Sequence, residues 1–155
     1  MIVESNGEDY ASLLRGCAPR TFKLADTAIA PPEVLQMLAN VATKVRAAFS
    51  PASWLILEGD EVVGLCSVTR PPADGVIDIG YGIAPSRQQR GIAGRAVAEV
   101  VSWAKLMPNV VALTAETSMT NVPSQRVLER NGFLKIGERI DEEDGRLICW
   151  RCSVE

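Results

Sequence analysis

Apolar positions along the chain change their spacing several times, and each change marks an element. After Pro31-Pro32, residues Val34, Leu35, Leu38, Val41, Ala42 and Val45 recur at three- and four-residue intervals, which predicts a helix with one buried face, ending near Ser50-Pro51. Residues 54–58 and 61–69 are largely apolar runs on either side of Gly59-Asp60 and predict an antiparallel hairpin. Beyond the loop Pro71-Pro72-Ala73-Asp74-Gly75, residues 76–84 read as a further strand that stops at Pro85. From Gly91 the period returns to 3.6, with Ile92, Ala96, Val97, Val100, Val101 and Ala104 on one stripe, closed by Pro108-Asn109. Residues 110–116 predict a buried strand, and Asn121 caps a short helix that Asn131-Gly132 ends. Residues 133–140 and 147–154 close the chain as a hairpin around residues 141–145, while residues 1–30 show no clear period.

This order of elements predicts an α/β (α+β) fold, a mixed and largely antiparallel central sheet flanked by helices, in one domain spanning residues 1–155. A hydrophobic fraction of 47% with 23% charged residues is ordinary globular composition. The net charge of −3 argues against a phosphate-neutralising face, so no nucleic-acid partner is expected. No apolar run reaches the roughly 20 residues of a bilayer span, so no membrane partner is expected either. The first residues lack a basic stretch followed by an apolar core, and a cytoplasmic location is expected. The chain contains no histidine, which removes Ser-His-Asp and Cys-His nucleophile systems and any His-ligated metal. Cys149 and Cys152 stand three apart in a predicted strand and so point to opposite faces, and no metal or redox cofactor is expected.

Chemistry concentrates in residues 83–95. A strand ends at Ile83-Ala84-Pro85, a cationic turn follows, and small residues stand where a helix begins and its first N–H groups have no intrahelical partner. Those donors, the positive end of the helix dipole and the room at Gly91, Ala93 and Gly94 suit a pyrophosphate, with Arg87, Arg90 and Arg95 adding charge. The alternative is an ordinary glycine-rich helix start with solvated arginines. Neither the P-loop nor the Rossmann glycine pattern fits the chain.

Gln88-Gln89-Arg90-Gly91-Ile92-Ala93 resembles the Gln/Arg-x-x-Gly-x-Gly/Ala signature of the Gcn5-related N-acetyltransferases, the GNAT family. A second block, Asn121 to Phe133, is similar to that family's Asn-x-x-Ser-x-x-x-Leu-x-x-x-Gly-Phe segment. The resemblance covers about residues 54–152. Asp78-Ile79-Gly80-Tyr81 is similar to the Glu-Ile-Gly-Tyr found in the subgroup of ribosomal-protein N-terminal alanine acetyltransferases. The resemblance implies an acetyl-CoA cosubstrate held by Ile83, Gln88, Gln89, Arg90, Gly91, Ile92, Ala93, Gly94, Arg95, Asn121 and Ser124. It also implies a central strand that bulges and splays from its neighbour to admit the pantetheine arm, with an oxyanion donor from backbone N–H near Ile83. The acceptor it implies is a primary amine of a small molecule or a peptide N-terminus, attacked directly without an acyl-enzyme.

Alternation places Asp78, Gly80 and Gly82 on one face, a carboxylate beside a strip without side chains. An ammonium must lose a proton before it attacks a thioester, so Asp78 is the candidate base, with Glu116 second. Relatives often protonate the departing thiolate with a tyrosine in the last helix; Leu128 stands there, which leaves the general acid unassigned and makes Asn121 and Ser124 the candidate thiolate donors. A non-catalytic acyl-CoA-binding sensor is the rival reading. A homodimer is left open, and residues 1–53 carry no acceptor motif.

Overall fold

A computed structural model describes residues 1–155. Strand β1 (Ile2–Glu4) precedes α1 (Gly7–Leu14), β2 (Lys23–Leu24) and α2 (Pro32–Arg46). The hairpin β3 (Ser53–Glu58) and β4 (Glu61–Val68) leads to β5 (Val76–Ile83), α3 (Ile92–Leu106), β6 (Ala112–Ser118) and α4 (Val122–Arg130). The chain closes with β7 (Leu134–Asp141) and β8 (Gly145–Ser153). One sheet runs in the order β1-β3-β4-β5-β6-β8-β7, with the short β2 pairing β4. Only β5–β6 and β2–β4 are parallel.

The opening thirty residues are more ordered than their sequence suggested. Strand β1 is three residues long and α1 eight, too short for a period to register. The start of α1 was readable by another sign: the Asn6 side chain accepts the Asp9 N–H while Asp9 accepts the Asn6 N–H, a reciprocal cap that holds the first turn. Asp9 in turn receives the Arg20 guanidinium, and this buried carboxylate ties the loop after α1 to the helix.

Neighbouring residues of β3 show which layer covers which face. Ser53 accepts the Tyr10 hydroxyl from α1, whereas Trp54 packs edge-on against Trp103 of α3 with ring centroids 5.2 Å apart. Adjacent strand residues point to opposite faces, so α1, with α2 packed on it, lies on one side and α3 on the other. Helix α4 joins α3: the Asn131 amide at its C-terminal end donates to the Gly94 carbonyl, and Ser124 meets Tyr81, whose row is Trp54–Cys66–Tyr81. The core fills both interfaces, with Val45, Leu55, Val63, Ile77, Val97, Leu113 and Leu128 fully buried.

Candidate functional site

Strand β5 pairs with β6 only as far as Ile79↔Ala115, yet continues to Ile83 along β4. The two parallel strands therefore part over residues 80–83. The bulge implied for β5 is absent, because its register with β4 runs unbroken from Val68↔Ile79 to Gly64↔Ile83. Hydrogen bonds from Thr69 N–H to Asp78 O and from Ala84 N–H to Val63 O show that the even-numbered residues of β5 bond to β4. The N–H groups of Tyr81 and Ile83 consequently point the other way, into the gap, where the β6 register offers no partner. A strand that leaves two donors unpaired beside an opening is prepared for a polar ligand.

The face of β5 turned toward the α1–α2 side is open above the same gap. A Cβ at Gly82 would meet nothing within 4 Å, and one at Gly80 only the Thr69 methyl at 3.5 Å. Asp78 borders this strip and is buried, its Oδ2 accepting from Thr69 Oγ1 and its Oδ1 from Thr114 Oγ1, both at 2.6 Å. Arg70 lies 3.4 Å from Oδ2. Glu116, on the same face of β6, receives both arms of Arg139, which hold its carboxyl below the ordinary value. Cys149 stands beside Glu116 while Cys152 faces the Asn131 carbonyl, on the two sides of β8.

Past Ile83 the chain turns through Pro85–Arg87 into α3, and two residues there take left-handed backbone, Gln89 at φ 65° and Gly91 at φ 75°. Gly91 meets that demand without strain and starts α3 with no side chain to cap it. The first backbone bond into the helix is Arg95 N–H to Gly91 O, so the N–H groups of Ile92, Ala93 and Gly94 are free of backbone acceptors. Gln89, Arg90, Gly91 and Arg95 line the exposed approach, Ala93 and Gly94 are half-buried, and Ile92 anchors the turn in the core. Gln88 donates its amide to the Ile83 carbonyl, fixing the loop to the strand end.

One expectation fails here: Arg87 does not join the anion site. It is buried and bonded to Glu61 and Glu58, with Asp26 at 3.7 Å, and it pins the loop to the β3–β4 turn. Arg90 and Arg95 are the cations left at the helix start, Arg90 lying 3.4 Å from Glu58 and Arg95 donating to the Arg90 carbonyl.

Helix α4 closes the far side of the gap. The Asn121 side chain accepts the Ser124 N–H, as a helix cap does, and Leu128 is wholly buried in the core. Tyr81 went unassigned in the sequence, yet its hydroxyl reaches Ser124 at 2.8 Å, and burial pushes the phenol up to about 12. No local pattern links residues 43 positions apart, so this contact was not readable from the sequence.

A mixed sheet with one splayed parallel pair, ending at an uncapped helix start, is an architecture of the acetyltransferase kind. Residues 5–134 match the family described as an acetyltransferase (GNAT) domain, and the chain belongs to that family. It is similar to the uncharacterized N-acetyltransferase YjdG of Bacillus subtilis, 32% identical over 85 residues, 53% of this chain and 51% of that protein. It is also similar to the uncharacterized N-acetyltransferase p20 of Bacillus licheniformis, 28% identical over 119 residues, 75% of this chain and 66% of that one. The chain thus spans about half to two-thirds the length of these curated relatives. Among solved structures, AAC(6')-Ib in complex with ribostamycin and coenzyme A superposes with a TM-score of 0.70 at 17% identity, covering 99% of this chain and 92% of that one. A spermidine N-acetyltransferase SpeG mutant from Vibrio cholerae gives 0.71 at 13% identity, covering 99% and 95%.

Proposed function

We propose that the chain transfers the acetyl group of acetyl-CoA to a primary amine by direct attack. The observation that carries this reading is the pair of unpaired N–H groups of Tyr81 and Ile83 pointing into the gap between β5 and β6. They stand where a thioester carbonyl gains negative charge as the amine adds, and donors fixed in a strand need no reorganisation to receive it. The pyrophosphate rests over Gln89 to Gly94 on the free N–H groups of α3, and Asn121 and Ser124 border the pantetheine arm. Asp78 takes the proton of the incoming ammonium through a water, since its two oxygens already accept two hydroxyls.

A small-molecule amine is the favoured acceptor class, in keeping with the ribostamycin and spermidine named for the structural neighbours. Peptide N-termini stay in the same test because Asp78-Ile79-Gly80-Tyr81 resembles the subgroup that acetylates them. The rival, an acyl-CoA sensor, draws on the apolar, buried Leu128 and on the three partners already held by Asp78.

The cofactor site is tested at Gly94, where a Cβ meets nothing within 4 Å and a side chain costs the fold little. Gly94→Val is expected to keep the wild-type melting temperature and lose at least about tenfold in acetyl-CoA affinity by calorimetry. Unchanged affinity removes the site. Turnover of acetyl-CoA across aminoglycosides, polyamines and free peptide N-termini separates enzyme from sensor, because a sensor binds and releases no thiol.

A further inference from the structure

Tyr81 lines the gap, and the proposed reaction leaves its phenol unused. Its backbone N–H faces the gap from β5 and its ring lies on the α3–α4 side, so the phenol stands at the rim of the opening on the side opposite Asp78. The hydroxyl meets Ser124 Oγ at 2.8 Å and the Ser124 carbonyl at 3.3 Å, which holds it between the strand and the first turn of α4. The other groups on that wall supply no better donor. Cys66, directly across on β4, is 1% exposed, Leu128 has no proton to give, and Tyr10 lies on the opposite face against Ser53.

We propose that Tyr81 is the proton donor to the departing thiolate, replacing from the central strand the phenol that Leu128 excludes from the last helix. This rests on the acetyl-CoA reading above. When the amine nitrogen bonds to the carbonyl carbon and the C–S bond breaks, the electron pair of that bond goes to sulfur. The Tyr81 hydroxyl proton passes to sulfur as the acylated nitrogen gives its own proton to the phenol oxygen through water, so the free thiol forms without a standing phenolate, which burial disfavours, and Tyr81 ends each cycle protonated. Ser124 positions the phenol and relays its hydrogen bond when the hydroxyl turns toward sulfur.

The test uses the free thiol of CoA as a stand-in for the leaving group and compares it with desulfo-CoA, by calorimetry on the full chain between pH 7 and pH 9.5. A phenol that donates to sulfur stabilises the thiolate and lowers the thiol's pKa in the complex. Wild type is therefore expected to prefer CoA over desulfo-CoA increasingly as pH rises, by about tenfold at the upper end. Y81F, which keeps the ring and its packing, is expected to bind desulfo-CoA as wild type does and to lose the preference. Retention of the preference in Y81F, or its absence in wild type, overturns the role of Tyr81 while the cofactor reading stands. Failure of wild type to bind either ligand overturns the cofactor reading, and the Tyr81 role with it.

Discussion

Asp78 and Glu116 lie on one face of adjacent strands, but their partners differ in kind. Glu116 is clamped by a guanidinium that favours its ionised form, while Asp78 is met chiefly by two threonine hydroxyls. A base that must take up a proton and release it works better in the second setting. Asp78→Asn is expected to lower kcat by about 10²-fold with acetyl-CoA affinity near wild type, whereas Glu116→Gln changes kcat less than about threefold. Steady-state rates of the two variants check this, and the reverse order moves the base to Glu116. At this scale strand alternation sufficed to put Asp78 beside the glycine strip. Its hydroxyl partners depended on the strand order, because Thr69 directly follows β4 and Thr114 lies in β6.

Among the elements, the β4–β5 contact has the least tolerance. A Cβ at Gly64 would stand 2.5 Å from the Gly82 carbonyl oxygen and 2.8 Å from Ile83 Cδ1, so this glycine lets β5 close on β4 while it parts from β6. Gly64→Ala is expected to destabilise the protein by about 1–3 kcal/mol in urea unfolding and to weaken CoA binding in the same variant, since Ile83 has to shift. An unaltered midpoint would show that the strands separate freely there. The long elements were legible because β3, β4, β5, α2 and α3 each bury an apolar run or stripe longer than a turn. Elements α1, β1 and β2 were not, since eight, three and two residues carry too few apolar positions to define a period. The missing bulge has the same root: a resemblance transfers the order of strands, but register follows from packing at residues such as Gly64 and Ile83.

For the molecule as a whole, buried weak acids and half-buried paired carboxylates set opposite ends of the pH profile. Burial pushes the Cys66 thiol and the Tyr81 phenol up to about 12, from 9.0 and 10.0. The folded chain keeps protons that the unfolded chain gives up, so stability is full below about pH 9 and falls as pH rises toward 12. Glu61 and Glu116 are held below 4.5 by Arg87 and Arg139, and what they contribute is present above that value and lost as pH falls through their folded values. Melting temperature is expected to be flat between about pH 5 and 9 and to drop on both sides. A Cys66→Ala variant is expected to show a shallower alkaline fall, and an unchanged slope would exonerate the thiol.

Helix α3 begins on a left-handed glycine with no side chain to accept its first N–H groups, although fifteen residues and much of the core depend on it. Most helices carry their own stopper at that end; on the proposed reading this one leaves it to the phosphates of the cosubstrate. Cosubstrate bound there would stabilise the chain as well as feed its reaction, because binding only the folded form draws the equilibrium toward it. On the proposed acetyl-CoA reading, scarcity of the cosubstrate lowers throughput and durability together.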